Sequence, residues 1–227
     1  MSWRTSSPGI WLRNLGRALG VNRLIVSAGN SGYESRYDRL LSAAFRPGDI
    51  VWDVGANVGY YTVRFAQLVG PSGHVVAFEP SAVNFAHLRE SSAGLPHVRL
   101  EPFGLGAKSG QVGFRQGDDD LGATSHISYD GEAGDRAEIR TADEEIEKGL
   151  PQPNVVKIDV EGYEGEVLTG MTRCLKSPLL RAIGVEVHFQ ILTERNLSSV
   201  PRQIERTLLD AGFNVSWPDN SHLLALR

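Results

Sequence analysis

The chain is poor in cysteine: Cys174 stands alone among 227 residues. An intramolecular disulfide is therefore excluded, and such sparing use of cysteine fits a reducing compartment. No apolar run approaches the ~20 residues that a membrane-spanning helix needs, and the N-terminus does not resemble a cleavable signal peptide. A surplus of basic charge is also missing. Lys and Arg total 23 against 27 Asp and Glu, for a net charge of −4, which argues against a general nucleic-acid binder. These absences describe a cytoplasmic protein without a membrane span. What is present, 41% hydrophobic and 22% charged residues, suits one sizeable globular domain.

The charge is nonetheless uneven. Seven arginines (4, 13, 17, 23, 36, 39 and 46) precede Pro47, against Glu34 and Asp38 alone. Within that segment Trp11, Leu12, Leu15 and Leu19 recur at helical spacing. Residues 1–46 thus read as a helical extension: either a lid or interfacial element, or a helix packed on the domain with a solvated basic face. A pair of basic helices there could also serve a homodimer. A second helix is expected over Tyr37 to Phe45, ending before Pro47-Gly48.

From residue 47 to the end, the pattern is strand–helix alternation. "DIVWDVG" (49–55), "HVVAFEP" (74–80), "HVRLEPFG" (97–104), "NVVKIDV" (154–160) and "RAIGVEVHF" (181–189) are short apolar runs of the kind buried parallel strands carry. Helices are expected over 59–69, from the N-cap Ser81 to Glu90, after the capping box Thr141/Glu144, from 161 to about Leu175, and from Ser199 to Gly212. "FNVSW" and "HLLALR" read as a closing antiparallel pair. Residues 104–140 break the alternation and read as a β-hairpin insertion after the third strand. The expectation is a doubly wound, mostly parallel seven-stranded α/β sheet, whose ligand lies outside the carboxyl ends of its central strands.

"DVGANVGYYT" (53–62) leaves the first strand at such an end. A dinucleotide loop would read G-x-G-x-x-G; here an acid, Asp53, precedes Gly55, Asn57 and Gly59. A carboxylate repels a pyrophosphate but accepts hydrogen bonds from an ammonium group. Asparagine tolerates the left-handed turn that glycine usually supplies and adds an amide that can bond a carboxylate. Glu79 ends the second strand 24 residues after Gly55, where an acid can accept from ribose hydroxyls. A zwitterionic amino-acid end joined to a ribose describes S-adenosylmethionine. Against this stands the plainer reading of a tight turn and an exposed acid before Pro80.

Two strands carry polar pairs that alternation places on one face: Lys157 with Asp159, and Glu186 with His188. If those strands are neighbours, the four residues form one cluster at the mouth of the site. Methyl transfer from a sulfonium to a group that carries a proton requires loss of that proton near the transition state. His188 is then the first candidate base and Asp159 the second, with Lys157 and Glu186 supporting the cluster. The alternative is that Lys157 neutralises a buried carboxylate while Asp159, Glu161 and Glu164 complement a helix N-terminus. Asp159, Glu161 and His188 could instead bind a divalent cation; the spacing does not require one, and no metal is assigned. "GDDDLGATSHISYDG" (117–131) is either a solvated loop or a lid bringing Ser125 or His126 over the site. Cys174 reads as core packing.

"DVGANVGYYT", "VVAFEP", "VVKIDVEGYEGEVLTG" and "VEVH" together resemble the FkbM family of class I S-adenosylmethionine-dependent methyltransferases, over about residues 49–190. The resemblance implies methylation of a hydroxyl on a sugar or a polyketide-type small molecule. It also implies cofactor contacts from Asp53, Gly55, Asn57, Gly59, Tyr60, Thr62, Glu79, Pro80, Gly104 and Asp159. Two rivals are an NAD-dependent oxidoreductase, disfavoured by the missing glycine fingerprint, and a non-catalytic methyltransferase-like binding subunit.

Overall fold

The computed structural model describes residues 34–115, 126–128 and 135–227. The basic helix through Trp11 and Leu19, and most of the 117–131 stretch with Ser125, lie outside the described residues. Of His126 only the backbone, in a short strand, is described.

Helix α1 (Glu34–Ser42) leads into β1 (Ile50–Val54), α2 (Tyr60–Val69), β2 (His74–Phe78), α3 (Ala82–Ser91) and β3 (Val98–Glu101). Four short strands follow: β4 (Gly104–Leu105), β5 (Gly110–Arg115), β6 (His126–Ser128) and β7 (Asp135–Arg140). Then come α4 (Ala142–Glu147), β8 (Val155–Ile158), α5 (Glu164–Thr169), α6 (Thr172–Lys176) and β9 (Ala182–Glu186). The described chain closes with α7 (Phe189–Glu194), α8 (Val200–Asp210), β10 (Asn214–Ser216) and β11 (His222–Leu226).

The main sheet has seven strands in the order β10-β11-β9-β8-β1-β2-β3. Pairings β1–β2, β2–β3, β1–β8 and β8–β9 are parallel, while β11 runs antiparallel to both β9 and β10. Strands β1, β2, β8 and β9 are buried on both faces, which is why their sequences are nearly continuous Val, Ile and Ala. The chain winds outward from β1 to β3 and returns on the other side of β1 at β8. That reversal sets the switch point of the sheet at the carboxyl ends of β1 and β8, where folds of this kind receive their ligands. Helix α1 packs on β9 and β11 through Tyr37 and Leu41, both buried, with the Tyr37 ring stacked on His222 at 4.1 Å.

The insertion is more than a hairpin: β4, β7, β5 and β6 form a second, four-stranded sheet. Its strand β4 is too short to be recognised from sequence. Arg140, the last residue of β7, lies 4.0 Å over the ring of Phe103. Three further departures have local causes. The helix after β8 is broken into α5 and α6 at Gly170. Strand β9 stops at Glu186, so His188 caps α7 and is not a strand residue. Helix α7 escapes the sequence pattern because its apolar residues continue the strand's alternation without a break. Among the described residues no helix is long and apolar enough to cross a membrane.

Gly55 and Gly59 are required first by packing. Gly55 has φ +79, and a Cβ there would lie 1.8 Å from the backbone oxygen of Asp159. At Gly59, with φ +94, it would meet the Ser91 hydroxyl at 2.3 Å. Gly94 has a similar φ of +87 but open space around it. Gly55→Ala should therefore cost several kcal/mol, and Gly94→Ala only about 1 kcal/mol, the expense of the left-handed backbone. Urea unfolding of the two variants checks the difference; equal losses would show that the Asp159 contact is not limiting.

Candidate active site

The site is built on the register of β1 and β8, which sets Asp53 directly beside Lys157. The Lys157 ammonium is buried. It lies 3.4 Å from Asp53 Oδ1 and 3.3 Å from Asp159 Oδ2, and donates to the Gly55 carbonyl at 3.2 Å. The Tyr61 ring is 4.8 Å away. Burial alone would discharge the amine; Asp159 and Asp53 outweigh it and hold the lysine charged. Thr62 donates to the other oxygen of Asp53 at 2.6 Å. Asp53 and Thr62 are wholly buried, so the ammonium that Asp53 meets is the chain's own. Both side chains support the loop from beneath; neither is on its surface.

Above them the loop turns through Asn57, whose φ of +50 is the left-handed geometry its sequence suggests. The buried Asn57 side-chain oxygen has no hydrogen-bond partner among the described residues. Glu79 is also buried, contrary to the reading of an exposed acid. Its Oε2 accepts from the Asn57 amide and its Oε1 from the Ser81 amide, each at 2.8 Å. Burial pushes the Glu79 carboxyl up to about 7, against the pull of those two amides. Tyr60 is the exposed member of the set, at 69%. Pro80 is half-buried; Gly104 is buried, with Ile139 and Pro80 closing over the place of its missing side chain.

The proposed four-residue cluster divides. Asp159 links Lys157 to His188, whose Nε2 lies 3.6 Å from Asp159 Oδ1 and 3.1 Å from Glu161 Oε2. On its other side His188 Nδ1 bonds Glu164 Oε1 at 2.6 Å. Glu186 turns instead to His222, at 3.5 Å, which is also held by Asp219 at 2.9 Å. The strand ends before His188, so the same-face rule does not join it to Glu186. Glu186 still acts on Lys157 through space, favouring its charged form.

Burial opposes the charge on His188, but hydrogen bonds to Glu161 and Glu164 prevail and raise its pKa well above 6.5. An imidazolium at neutral pH has no lone pair with which to take a proton. That charge sets His188 apart from Asp159, the other candidate base read from the sequence. His222 is likewise lifted to about 9, against burial, by Asp219 and Glu186. Sequence reasoning missed Glu164, Asp219 and His222 as partners. Glu164 did carry a signal, an acid opening a helix, and it does accept from Gly162 N at 2.9 Å. Cys174 is buried in the core, its thiol pushed up to about 12 by burial, and takes no part.

Residues 53–215 match the family model of the methyltransferase FkbM domain. The chain belongs to the FkbM methyltransferase family. Hexuronic acid methyltransferase AglP of Haloferax volcanii is 34% identical over 178 residues, covering 74% of this chain and 71% of that protein. The 31-O-demethyl-FK506 methyltransferase FkbM of Streptomyces tacrolimicus is 30% identical over 176 residues, covering 63% of this chain and 66% of that protein. The crystal structure of methyltransferase FkbM from Methylobacillus flagellatus KT superposes with a TM-score of 0.54 at 15% identity. That match covers 83% of this chain and half of the other, and shows the shared fold.

The chain is thus a class I methyltransferase, and the methyl donor of the class is S-adenosylmethionine. The residues present fit that donor. The partnerless Asn57 oxygen is an acceptor awaiting a donor, and each Glu79 oxygen keeps a lone pair beyond its backbone amide.

Two outcomes follow for stability. Lys157→Met leaves Asp53 buried and uncompensated, and should cost about 3–5 kcal/mol. Adding Asp53→Asn should return part of that loss in a double-mutant cycle of urea unfolding. Glu79, raised from its ordinary 4.5 to about 7, holds a proton in the folded chain that the unfolded chain releases. Its contribution is present below about 4.5 and disappears as pH rises through about 7. Wild type should lose more stability than Glu79→Gln over that window; parallel slopes would place the Glu79 pKa nearer its ordinary value.

Proposed function

We propose that this methyltransferase places the methyl group of S-adenosylmethionine on a hydroxyl of a small molecule of the sugar or polyketide type. The observation that carries the reading is the set of polar groups gathered at the carboxyl ends of β1, β2 and β8. There a glycine–asparagine turn, a buried acid at the end of β2 and a half-buried carboxylate on the β8 side meet around one locked lysine. The two relatives are named for methylation of a hexuronic acid and of 31-O-demethyl-FK506. In the same reading the enzyme works in the cytoplasm.

The cofactor, when bound, supplies an activated methyl group on a sulfonium, so the protein has little bond-making to assist and much positioning to do. Asn57 and Glu79 would hold the amino-acid and ribose ends, with the exposed Tyr60 beside the turn. Asp53 and Thr62 hold the turn in place from below. Asp159, with 26% of its side chain exposed, is the carboxylate open to the acceptor. It takes the hydroxyl proton while Lys157 fixes its orientation. His188, charged, holds Asp159 and Glu161 toward the opening. Glu186 contributes at a distance, and Pro80 and Gly104 shape the wall beside Glu79.

Calorimetric titration with S-adenosylhomocysteine tests the reading. Micromolar binding is expected for wild type, with at least tenfold weakening in Glu79→Gln and in Tyr60→Ala. Asp159→Asn should retain the cofactor yet lose methyl transfer to uronic acids and macrolide alcohols, followed by mass spectrometry. Absence of binding by folded wild type would favour the non-catalytic reading. Methyl transfer surviving in Asp159→Asn would remove that residue from the proton's path.

A further inference from the structure

The side chains of Asp159, Glu161 and His188 converge from two segments of chain, the loop after β8 and the turn after β9. One donor atom from each lies within 4.8 Å of the others. We propose that these three residues bind a divalent cation of the first transition row, with Mn2+ the best match to two carboxylates and one imidazole.

Donor spacing is the first support. Ligands about 2.1 Å from an ion stand about 3.0 Å apart when adjacent and about 4.2 Å when opposite. His188 Nε2 is 3.1 Å from Glu161 Oε2 and 3.6 Å from Asp159 Oδ1, so small movements suffice to seat an ion.

The second support is independent of the three donors. Glu164 is wholly buried and fixes the far nitrogen of His188 at 2.6 Å. A carboxylate on Nδ1 that leaves Nε2 pointing at the opening is the arrangement that orients metal-binding histidines and sets their tautomer. A histidine serving only packing has no need of a buried acid behind it and two half-exposed acids in front.

Charge is the third support. Asp53, Asp159, Glu161 and Glu164 are four carboxylates against two cationic groups, His188 and the Lys157 ammonium that Asp53 and Asp159 share. Such an opening repels an anionic acceptor such as a uronic acid. An ion on Nε2 takes the place of the imidazolium proton and adds a charge the acceptor can use. Lys157 already faces Asp159 Oδ2, so the ion is directed to Oδ1. Both carboxylates are 26% exposed against 9% for His188, which leaves open positions facing the acceptor. The use of the ion to hold an acceptor rests on the methyl-transfer reading; its binding does not.

The test uses the 227-residue chain stripped with EDTA and titrated with Mn2+, following loss of the free-ion signal by electron paramagnetic resonance. S-adenosylhomocysteine binding is measured on the same samples. One Mn2+ per chain is expected, weakened at least tenfold in Glu161→Gln and in His188→Gln, and ~10–100-fold in Glu164→Gln. Glu161→Gln, half-exposed, should keep wild-type affinity for S-adenosylhomocysteine, which shows that it is folded should the buried variants fail. No Mn2+ uptake by wild type, with or without S-adenosylhomocysteine, overturns the site, as does uptake unchanged in Glu161→Gln. Mn2+ bound without S-adenosylhomocysteine binding supports the cation site and counts against the methyl-transfer reading.

Discussion

One buried ammonium organises this site. Lys157 neutralises Asp53 on β1, orients Asp159 beyond β8, and holds the Gly55 carbonyl where the loop begins. An ion pair buried to this degree adds little net stability, because the cost of dehydrating both charges offsets most of their attraction. Its effect is on specificity of arrangement. With the lysine removed, a carboxylate would be stranded in the sheet; with it present, the strand ends and the turn adopt one relative position. The in-register pairing of Asp53 with Lys157 makes that position a property of the sheet.

The glycine loop has a similar double character. Its positive φ angles and missing side chains answer first to the backbone of Asp159 and to Ser91. A loop seated so tightly presents its remaining polar groups without further ordering. The unmatched oxygen of Asn57 and the buried acid Glu79 are polar groups that the fold leaves incompletely satisfied. Such groups are expensive, and a site that binds a polar ligand is where the expense is recovered.

Much of this was legible in the sequence because parallel strands buried on both faces leave a distinctive apolar signature. β1, β2, β8 and β9, and the closing antiparallel pair, all lie where that signature places them. The loop residues were legible as a set, but not their depth. Alternation indicates a face and not a layer, so Asp53 and Thr62 could not be told from residues on the loop's surface. His188 shows the limit most clearly. Val187, His188 and Phe189 continue the strand's pattern, and only the backbone turn at His188, φ −87 and ψ 71, reveals that a helix has begun. Its true companions, Glu161 and Glu164, come from a distant stretch and are joined to it by tertiary contact alone. Residues of this kind have no local periodicity to announce them.

The second sheet carries an evolutionary consequence. It enters after β3 and returns before β8, on the far side of the chain's reversal from the Lys157 anchor, and it closes on itself through β4 and β7. A segment that begins and ends beside its own hydrogen-bonded partner can be lengthened, shortened or exchanged without shifting the register of β1 against β8. The frame that pairs Asp53 with Lys157 and the inserted segment can thus change separately in sequence, apart from Gly104, Leu105 and Ile139 of β4 and β7, which pack against the frame.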